Sequence, residues 1–185
     1  LRLRCHPNST AASHAIYTQG RYDYDEMLFL EHYLRPGDSF IDVGANIGIY
    51  SLLAAGLVGS TGSVESFEAD PQIFAALEEN VALNSLSNVR LHQAAVSDQD
   101  GQVQFTRGND QTGRIAIEPA VSSVLVAACR LDAVLAERSF AMGKIDIEGY
   151  ELRALQGAQQ LLKAANPPVW QLECVGRLLR DRKST

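Results

Sequence analysis

The chain has 185 residues, 46% of them hydrophobic, and its 22 acidic side chains outnumber the 16 basic ones to give a formal net charge of −6. This length and hydrophobic content suit one domain with a buried core and make a second domain unexpected. The acidic balance offers no basic face for a phosphate backbone, so we expect no nucleic-acid partner.

The cysteine spacing and the lengths of the apolar runs indicate whether the chain has disulfides, a metal site or a membrane helix. Even the apolar run 47–58 is shorter than the ~20 residues that a membrane helix needs. Cys5, Cys129 and Cys174 are odd in number and widely spaced, which suits neither a disulfide framework nor a metal site, and the histidines lack metal-ligand spacing. We therefore predict buried or incidental thiols in a reducing cytoplasm, no membrane span and no metal.

The N-terminal part of the chain predicts one helix. The chain begins with Leu1 rather than Met and shows no secretory signal, so we expect an excised or processed piece. Apolar residues at helical spacing then predict a helix from about Asp23 to Leu34, which the turn residues 35–38 end.

The most informative stretch follows this helix. A short apolar run around Asp42 predicts a buried strand, and the run 47–58 predicts a helix, so Gly44 and Gly48 lie at a strand-to-helix turn. Because glycine has no Cβ, the backbone can approach a ligand closely, and the free N–H groups of the first helical turn point at it. A glycine pair alone is equally typical of an ordinary tight turn.

An acid at the end of the next predicted strand favours a nucleoside ligand. Glu68 lies twenty residues after Gly48, a spacing that puts its oxygens where they can accept hydrogen bonds from both hydroxyls of a ribose. A carboxylate there disfavours the 2′-phosphate of NADP. NAD remains an alternative, although Asn46 stands where its pyrophosphate needs a second glycine. Asp42 suits a ligand with an ammonium group, as S-adenosylmethionine has.

The rest of the chain predicts further core elements and an insertion. The predicted helices begin at Pro71, near Arg130 and near Tyr150, the last being one long helix that carries Leu152, Leu155, Ala158 and Leu162 on its apolar face. The predicted core strands are 89–92, 140–147 and 169–175, and residues 99–128 alternate as antiparallel additions. His92 is predicted to pack on its strand rather than to act as a base.

Five motifs carry a resemblance to a known family. They are Asp42-Val43-Gly44-Ala45-Asn46-Ile47-Gly48; Phe67-Glu68-Ala69-Asp70-Pro71; Asn80 with Asn84; Ala95-Val96-Ser97-Asp98; and Lys144-Ile145-Asp146-Ile147-Glu148-Gly149-Tyr150-Glu151. In this order and spacing the chain resembles the FkbM family of S-adenosylmethionine-dependent methyltransferases, from about Tyr17 to about Val175. Five ordered motifs are far more specific than one glycine loop.

The resemblance implies a fold and a domain plan. The expected fold is a Rossmann-like three-layer α/β sandwich of the class I methyltransferase type, with core sheet order 3-2-1-4-5 and an antiparallel insertion. The single domain 1–185 would comprise an N-terminal helical lid (1–36), a cofactor-binding half (37–98), the insertion (99–128) and the second half of the sheet (129–175). We expect the two usual C-terminal hairpin strands to be lacking, which leaves one sheet edge open. Either the chain is truncated, or a partner such as a second copy covers the edge, or the insertion 99–128 builds the acceptor site.

The resemblance also implies site residues. Those expected to bind the cofactor are Asp42, Gly44, Ala45, Asn46, Gly48, Glu68, Ala69, Ala95 and Val96. Ala95 and Val96 would form the wall against which adenine lies. Tyr17, Tyr22 and Asp23 are lid candidates, with plain aromatic packing on the helix an equal alternative.

Two acids are the expected catalytic residues. Asp146 and Glu148 end the fourth core strand, at the sheet edge shared with Gly44 and Glu68. Asp146 is the first candidate for the base, and Glu148 could position the acceptor or bind the methionine ammonium; in the alternative, either acid merely caps the following helix. Lys144 is expected to pair with an acid.

These expectations predict a methyltransferase that acts on oxygen of a small molecule or a sugar hydroxyl. Two alternatives stay open at this point. One is a non-catalytic cofactor-binding or assembly domain with an incomplete acceptor site, and the other is an NAD-dependent oxidoreductase.

Overall fold

The computed structural model describes residues 1–4, 23–107, 113–115 and 123–173. The elements in these ranges are, in chain order, α1 (Tyr24–Tyr33), β1 (Ser39–Val43), α2 (Ile49–Val58), β2 (Ser63–Phe67), α3 (Pro71–Leu83), β3 (Val89–His92), β4 (Ala95–Val96), β5 (Gly101–Arg107), β6 (Gly113–Ile115), β7 (Ser123–Cys129), α4 (Leu131–Val134), β8 (Met142–Ile145), α5 (Glu151–Gln156), α6 (Gln159–Lys163) and β9 (Val169–Leu172). Within these ranges no helix is long and apolar enough to cross a membrane. Tyr17, Tyr22, Cys5 and Cys174 lie outside the described residues, as does the chain from residue 174 onward.

The central sheet has five parallel strands in the order β3-β2-β1-β8-β9. Since β8 and β9 are the fourth and fifth strands of this sheet, the order is the predicted 3-2-1-4-5. The strand order reverses beside β1, and ligands of open α/β sheets bind at such a reversal, beyond the carboxyl ends of the strands. In the register, Asp42 lies between Ser66 and Lys144, and Lys144 in turn lies opposite Gln171.

Helices cover both faces of this sheet, as the three-layer prediction requires. Successive strand residues point to opposite faces. Phe40 therefore packs with Leu30 and Ala54 of α1 and α2, whereas the neighbouring Ile41 packs with Leu131 and Ala158 on the α4 to α6 side. Both clusters are buried, and together they fix which side chains of each strand can reach the site at its end.

The insertion forms a second sheet in the order β4-β7-β5-β6, in which β5 is antiparallel to β6 and β7. The prediction of antiparallel additions is confirmed. The third core strand ends at His92, as predicted, because the chain turns there and the Ala94 N–H donates to the His92 carbonyl at 3.0 Å. Ala95 and Val96 form β4, which pairs in parallel with β7.

The prediction of one long helix after Tyr150 is wrong. The chain forms two short helices, α5 and α6, that are separated at Gly157. A Cβ on Gly157 would overlap the carbonyl of Ser97, so the backbone here is pressed against another segment. The Asp132 carboxylate accepts from the N–H groups of Gln160 (2.9 Å) and Leu161 (3.2 Å). It thereby caps α6 and gives acceptors to N–H groups that the interruption would otherwise leave without hydrogen bonds.

His92 packs in the way that the strand pattern predicts. Its ring stacks on Phe67, with centroids 4.4 Å apart, and its Nε2 lies 2.7 Å from Oε2 of the buried Glu65. Burial acts to raise the pKa of Glu65, but hydrogen bonds from His92 and Arg138 outweigh it, so that the pKa is lowered. His92 therefore belongs to a structural ion cluster on the face of the sheet.

Cys129 also agrees with its prediction as an unreactive thiol. Its side chain is partly buried, and burial raises the pKa of the thiol to about 11. The neutral thiol is a poor nucleophile at physiological pH.

Candidate active site at the ends of the core strands

The glycine turn joins β1 to α2 in a left-handed backbone. Gly44 (φ 81°), Asn46 (φ 52°) and Gly48 (φ 97°) all have positive φ. The helix begins at Ile49, two residues later than the apolar run suggests, because Gly48 is its N-cap and is itself left-handed. The Asn46 side chain stabilises the turn by accepting the Ile47 N–H at 2.7 Å.

The space beside both glycines is filled by the protein itself. A Cβ on Gly44 would overlap the carbonyl of Asp146, and a Cβ on Gly48 would lie 2.7 Å from Cδ1 of Leu77. Close approach of protein atoms, in addition to positive φ, therefore requires glycine at both positions. That a ligand also approaches here stays a prediction.

We expect Gly44→Ala to destabilise the fold more than Gly59→Ala. Both glycines have positive φ, but nothing lies within 4 Å of a Cβ built on Gly59 (φ +66°). Gly59→Ala should cost about 1–3 kcal/mol from backbone strain alone, because a φ of 66° with a ψ of −172° is a conformation that residues other than glycine rarely adopt. Gly44→Ala should cost about 3 kcal/mol or more because the backbone of Asp146 must also move. Urea unfolding of both variants measures the difference, and equal losses would mean that the strand ends are not packed as described.

Glu68 faces the glycine turn directly. It follows β2, is 8% exposed, and accepts the N–H of Asn46 on Oε2 (2.9 Å) and the N–H of Asp70 on Oε1 (2.8 Å). Each carboxylate oxygen can accept a second hydrogen bond. Burial raises the pKa of Glu68 to about 7, although the N–H groups of Asp70 and Asn46 oppose the shift. The two features predicted to hold one ligand are thus in contact.

Asp42 is buried beneath the start of α2. Its Oδ2 accepts the Ser51 hydroxyl at 2.5 Å, and Ser51 Oγ lies 2.7 Å from Ser66 Oγ. Its Oδ1 is buried and has no hydrogen-bond partner among the residues that the structure describes. Burial raises the pKa of Asp42, and the positive charge of Lys144 opposes that shift. A buried oxygen without a donor is costly, so this atom is suited to a donor that a ligand brings.

Lys144 is a buried cation at the centre of the site. Its Nζ donates to Oδ2 of Asp146 at 2.6 Å and lies 4.6 Å from the centroid of the Tyr50 ring. The expected pairing of Lys144 with an acid is confirmed. The carboxylate of Asp146 is therefore bound in an ion pair with Lys144. The N-cap of α5 is Tyr150, and it has no side-chain capping bond.

Two more acids reach the same cluster. Glu173 is an exposed side chain directly after β9, and its interaction with Asp146, through hydrogen bonding and the nearby negative charge, raises the pKa of Glu173 to about 7. Asp23, before α1, accepts the Tyr50 hydroxyl at 3.0 Å. Burial raises the pKa of Asp23 in spite of that hydrogen bond. The lid candidate Asp23 is therefore joined to the strand ends through Tyr50.

Comparison with known proteins identifies the family. Residues 42–177 match the model of the Methyltransferase FkbM domain, which is more than half of the chain. This chain belongs to the FkbM methyltransferase family. The 31-O-demethyl-FK506 methyltransferase FkbM of Streptomyces tacrolimicus is 29% identical to it, over 83% of this chain and 74% of that protein.

Two further relatives match less of their own length. The ribosomal protein L11 methyltransferase of Bacillus cereus is 42% identical, but over only 32% of this chain and 19% of that protein. A SAM-dependent O-methyltransferase structure from Thermotoga maritima superposes with a TM-score of 0.55 over 90% of this chain, at 14% identity. That likeness supports the fold alone, and the chain spans about half (51%) of the Thermotoga chain.

The family assignment makes this FkbM chain an S-adenosylmethionine-dependent methyltransferase, as the motifs predict, rather than an NAD-dependent oxidoreductase. The residues present fit that cofactor. The unpartnered Oδ1 of Asp42 suits an ammonium group, and the spare acceptor sites of Glu68 suit ribose hydroxyls.

The remaining predicted residues of the FkbM site are those of the adenine wall and the acid Glu148. Ala69 packs against the cluster of Ala95, Phe105 and Val126, which places Ala69 and Ala95 together beside the end of β2. The side chain of Val96 packs instead into the main core. Glu148 (φ 53°) lies after β8, where its charge acts on Glu173.

Sequence reasoning assigns no role to Tyr50 or Glu173. A tyrosine in the first turn of an apolar helix is typical of a core residue, and Glu173 lies inside the predicted strand 169–175 with no glycine or second motif beside it. The one available signal was Lys144, a charge inside an apolar strand, which must have partners on the neighbouring strands.

Proposed function

We propose that this FkbM-family enzyme transfers a methyl group to a hydroxyl oxygen of a small molecule or a sugar. The observation that carries the proposal is the acid pair Asp146 and Glu173 at the carboxyl ends of β8 and β9, in which the buried Lys144 holds Asp146. A methyltransferase whose acceptor is a hydroxyl must remove one proton, and this pair is suited to receive it. The name of the Streptomyces relative, which places its methyl on oxygen of a small molecule, supports the same chemistry.

The cofactor-binding residues are proposed to act from three sides. The turn 44–48 and Glu68 hold the adenosyl part, Asp42 holds the ammonium group, and Ala69 with Ala95 borders the adenine. Val96, whose side chain packs into the main core, can border the adenine only through its backbone. When bound there, S-adenosylmethionine supplies a methyl group on a sulfonium sulfur, and the C–S electron pair stays with sulfur as the new O–C bond forms. Alignment of acceptor and methyl can contribute ~7 kcal/mol of barrier lowering.

Asp146 and Glu173 act as one base in this proposal. Lys144 donates to Asp146 and holds it in place, while Glu173 has a carboxyl whose pKa is raised to about 7. The two carboxylates together therefore accept the proton of the acceptor hydroxyl, whereas the sequence predicted Asp146 alone as the base. Lys144 also offers positive charge to an oxygen that is losing its proton.

The neighbours of the pair complete the acceptor side. Desolvation and the nearby Asp23 raise the pKa of Tyr50, so its hydroxyl stays protonated and serves as a donor that ties Asp23 to the site. Glu148 is proposed to position the acceptor, since its charge lies close enough to act on Glu173. Asp42 is then left for the cofactor ammonium.

A label-transfer screen tests this function. The wild-type chain is incubated with methyl-labelled S-adenosylmethionine and with sets of hydroxylated small molecules, sugars, amines and ribosomal RNA. We expect label in a hydroxylated compound as an ether that survives mild alkali, and none with the double variant Asp146→Asn/Glu173→Gln. Transfer only to amines or to RNA would overturn the proposal.

The predicted homodimer rests on one edge of the sheet. Among the described strands β9 pairs only with β8, and its Val169 and Leu172 are 39% and 37% exposed. An unpaired strand edge with apolar side chains is a site where a second copy can add. Dimerisation through β9 is our proposal for the assembly.

A further inference from the structure

The motif residues Asn80 and Asn84 are not part of the proposed chemistry. Asn80 lies in the last turn of α3 and Asn84 is the C-cap of that helix, and both bind the segment at residues 1–4, which we name the N-terminal strap. Asn84 accepts the Arg2 N–H and donates to the Arg2 carbonyl, both at 2.6 Å. Asn80 accepts the Arg4 N–H at 2.7 Å and lies 3.4 Å from the Arg4 carbonyl.

These contacts bind backbone groups of the strap and not its side chains. Each side-chain amide offers one acceptor and one donor to the N–H and C=O of a single residue, as a neighbouring β-strand would. Between the two clamped residues, Leu3 packs against the cluster that contains Ala45 and Leu77. The strap is therefore fixed on α3 by two amides and one apolar side chain.

Asn80 also reaches the glycine turn. Its Nδ2 donates to the carbonyl of Ile47 at 2.8 Å, and Asn80 is completely buried. Leu77, one turn earlier on α3, fills the space beside Gly48. Asn80 thus binds the strap with its oxygen, whereas its nitrogen makes its short bond to the glycine turn and only a long contact of 3.4 Å to the Arg4 carbonyl.

We infer that Asn80 is a positioning residue for the glycine turn, and that docking of the N-terminal strap holds it in the orientation that the cofactor needs. The Arg4 N–H fixes which end of the amide is the acceptor, so that the nitrogen must face Ile47. When the strap leaves, the amide oxygen of Asn80 loses its donor, and the bond from the amide nitrogen to the Ile47 carbonyl is held less firmly. Binding linkage is reciprocal, so cofactor binding tightens the docking of the strap.

Isosteric variants on α3 test the inference. Asn80→Asp keeps the acceptor for Arg4 but removes the donor to Ile47, and Asn84→Asp makes the same change one turn away, where only the strap and the helix are touched. We expect Asn80→Asp to weaken S-adenosylhomocysteine binding about tenfold and Asn84→Asp less than about threefold. Titration calorimetry gives both affinities, and thermal unfolding shows the loss of stability that a purely structural role would produce in each.

A third variant leaves α3 unchanged in case Asn80→Asp fails to fold. Leu3→Asp removes the apolar anchor of the strap, so the Arg2 and Arg4 amides should exchange hydrogen faster, and cofactor affinity should fall about threefold. In the wild type, S-adenosylhomocysteine should slow exchange at these amides. Equal affinities of the Asn80 and Asn84 variants, or a strap released by Leu3→Asp without loss of affinity, would overturn the inference. No turnover is measured, so the result is independent of the acceptor proposal.

Discussion

Asp146→Asn should lower kcat by about 10²- to 10⁴-fold while cofactor affinity changes by less than about threefold. The amide has nearly the same shape as the acid but cannot share a proton with Glu173, and it cannot form an ion pair with Lys144. Turnover is measured with the acceptor found by label transfer, and affinity by calorimetry. The control Asp100→Asn makes the same change in an exposed ion pair with Arg130 and should leave kcat unchanged. Full turnover by Asp146→Asn would exclude it from the base.

The pH dependence of turnover separates the two acids. Since the pKa of Glu173 is raised to about 7, the pair gains capacity for the acceptor proton as Glu173 ionises, and wild-type kcat should rise with pH through about 7. Glu173→Gln should lower kcat and remove that rise. The charged groups that face Glu173 are Asp146, Lys144 and Glu148, so a shift of the midpoint in Lys144→Met would show that Lys144 sets it. A wild-type profile without a transition near 7 would contradict the paired base.

Glu68→Ala should weaken S-adenosylmethionine binding by about 1–3 kcal/mol, because a charged acceptor of hydrogen bonds is lost. The variant also leaves the N–H groups of Asn46 and Asp70 without their acceptor, so it should unfold more easily than the wild type. Asp70→Ala is the control. It removes the cap of α3, in which Asp70 accepts the Gln72 N–H at 2.7 Å, and should cost about 1 kcal/mol of stability without loss of affinity. Unchanged affinity in Glu68→Ala would remove Glu68 from the site.

The raised pKa of Glu68 gives this prediction a second readout. In the folded protein the pKa of Glu68 is about 7 and in the unfolded chain it is near the ordinary value of 4.5, so between these values the folded state binds more protons. The contribution of Glu68 to stability therefore falls as pH rises from about 4.5 to about 7 and is constant above that. Cofactor affinity should change in the opposite sense, rising through about 7 as the carboxylate forms. Glu68→Gln should show neither dependence.

Local sequence pattern predicts much of this fold because its core elements are short and strongly patterned. The burial of Phe40 on one face and Ile41 on the other follows from the apolar pattern of neighbouring residues. The sheet order follows from the family motifs. The pattern fails at Gly157. An apolar helical period continues through it, and only contact with the distant Ser97 and capping by Asp132 divide the helix.

Only those parts of the site whose residues lie close together in the chain could be predicted from the sequence. The spacing from Gly48 to Glu68 follows from one βαβ unit, and in the structure Glu68 binds the glycine turn at Asn46. The cluster around Lys144 depends instead on the register of β1, β8 and β9 and on the approach of Asp23 from before α1, all of which join residues far apart in the chain. For the same reason, no local pattern shows that Asp146 packs over Gly44 or that Asn80 binds Ile47.

A crystal structure with S-adenosylhomocysteine is the most direct test of the proposed cofactor site. We expect both ribose hydroxyls within hydrogen-bond distance of the Glu68 carboxylate, the ammonium group beside Oδ1 of Asp42, and the sulfur facing Asp146. A ligand bound elsewhere, or one that leaves Glu68 in contact only with Asn46 and Asp70, would contradict the account.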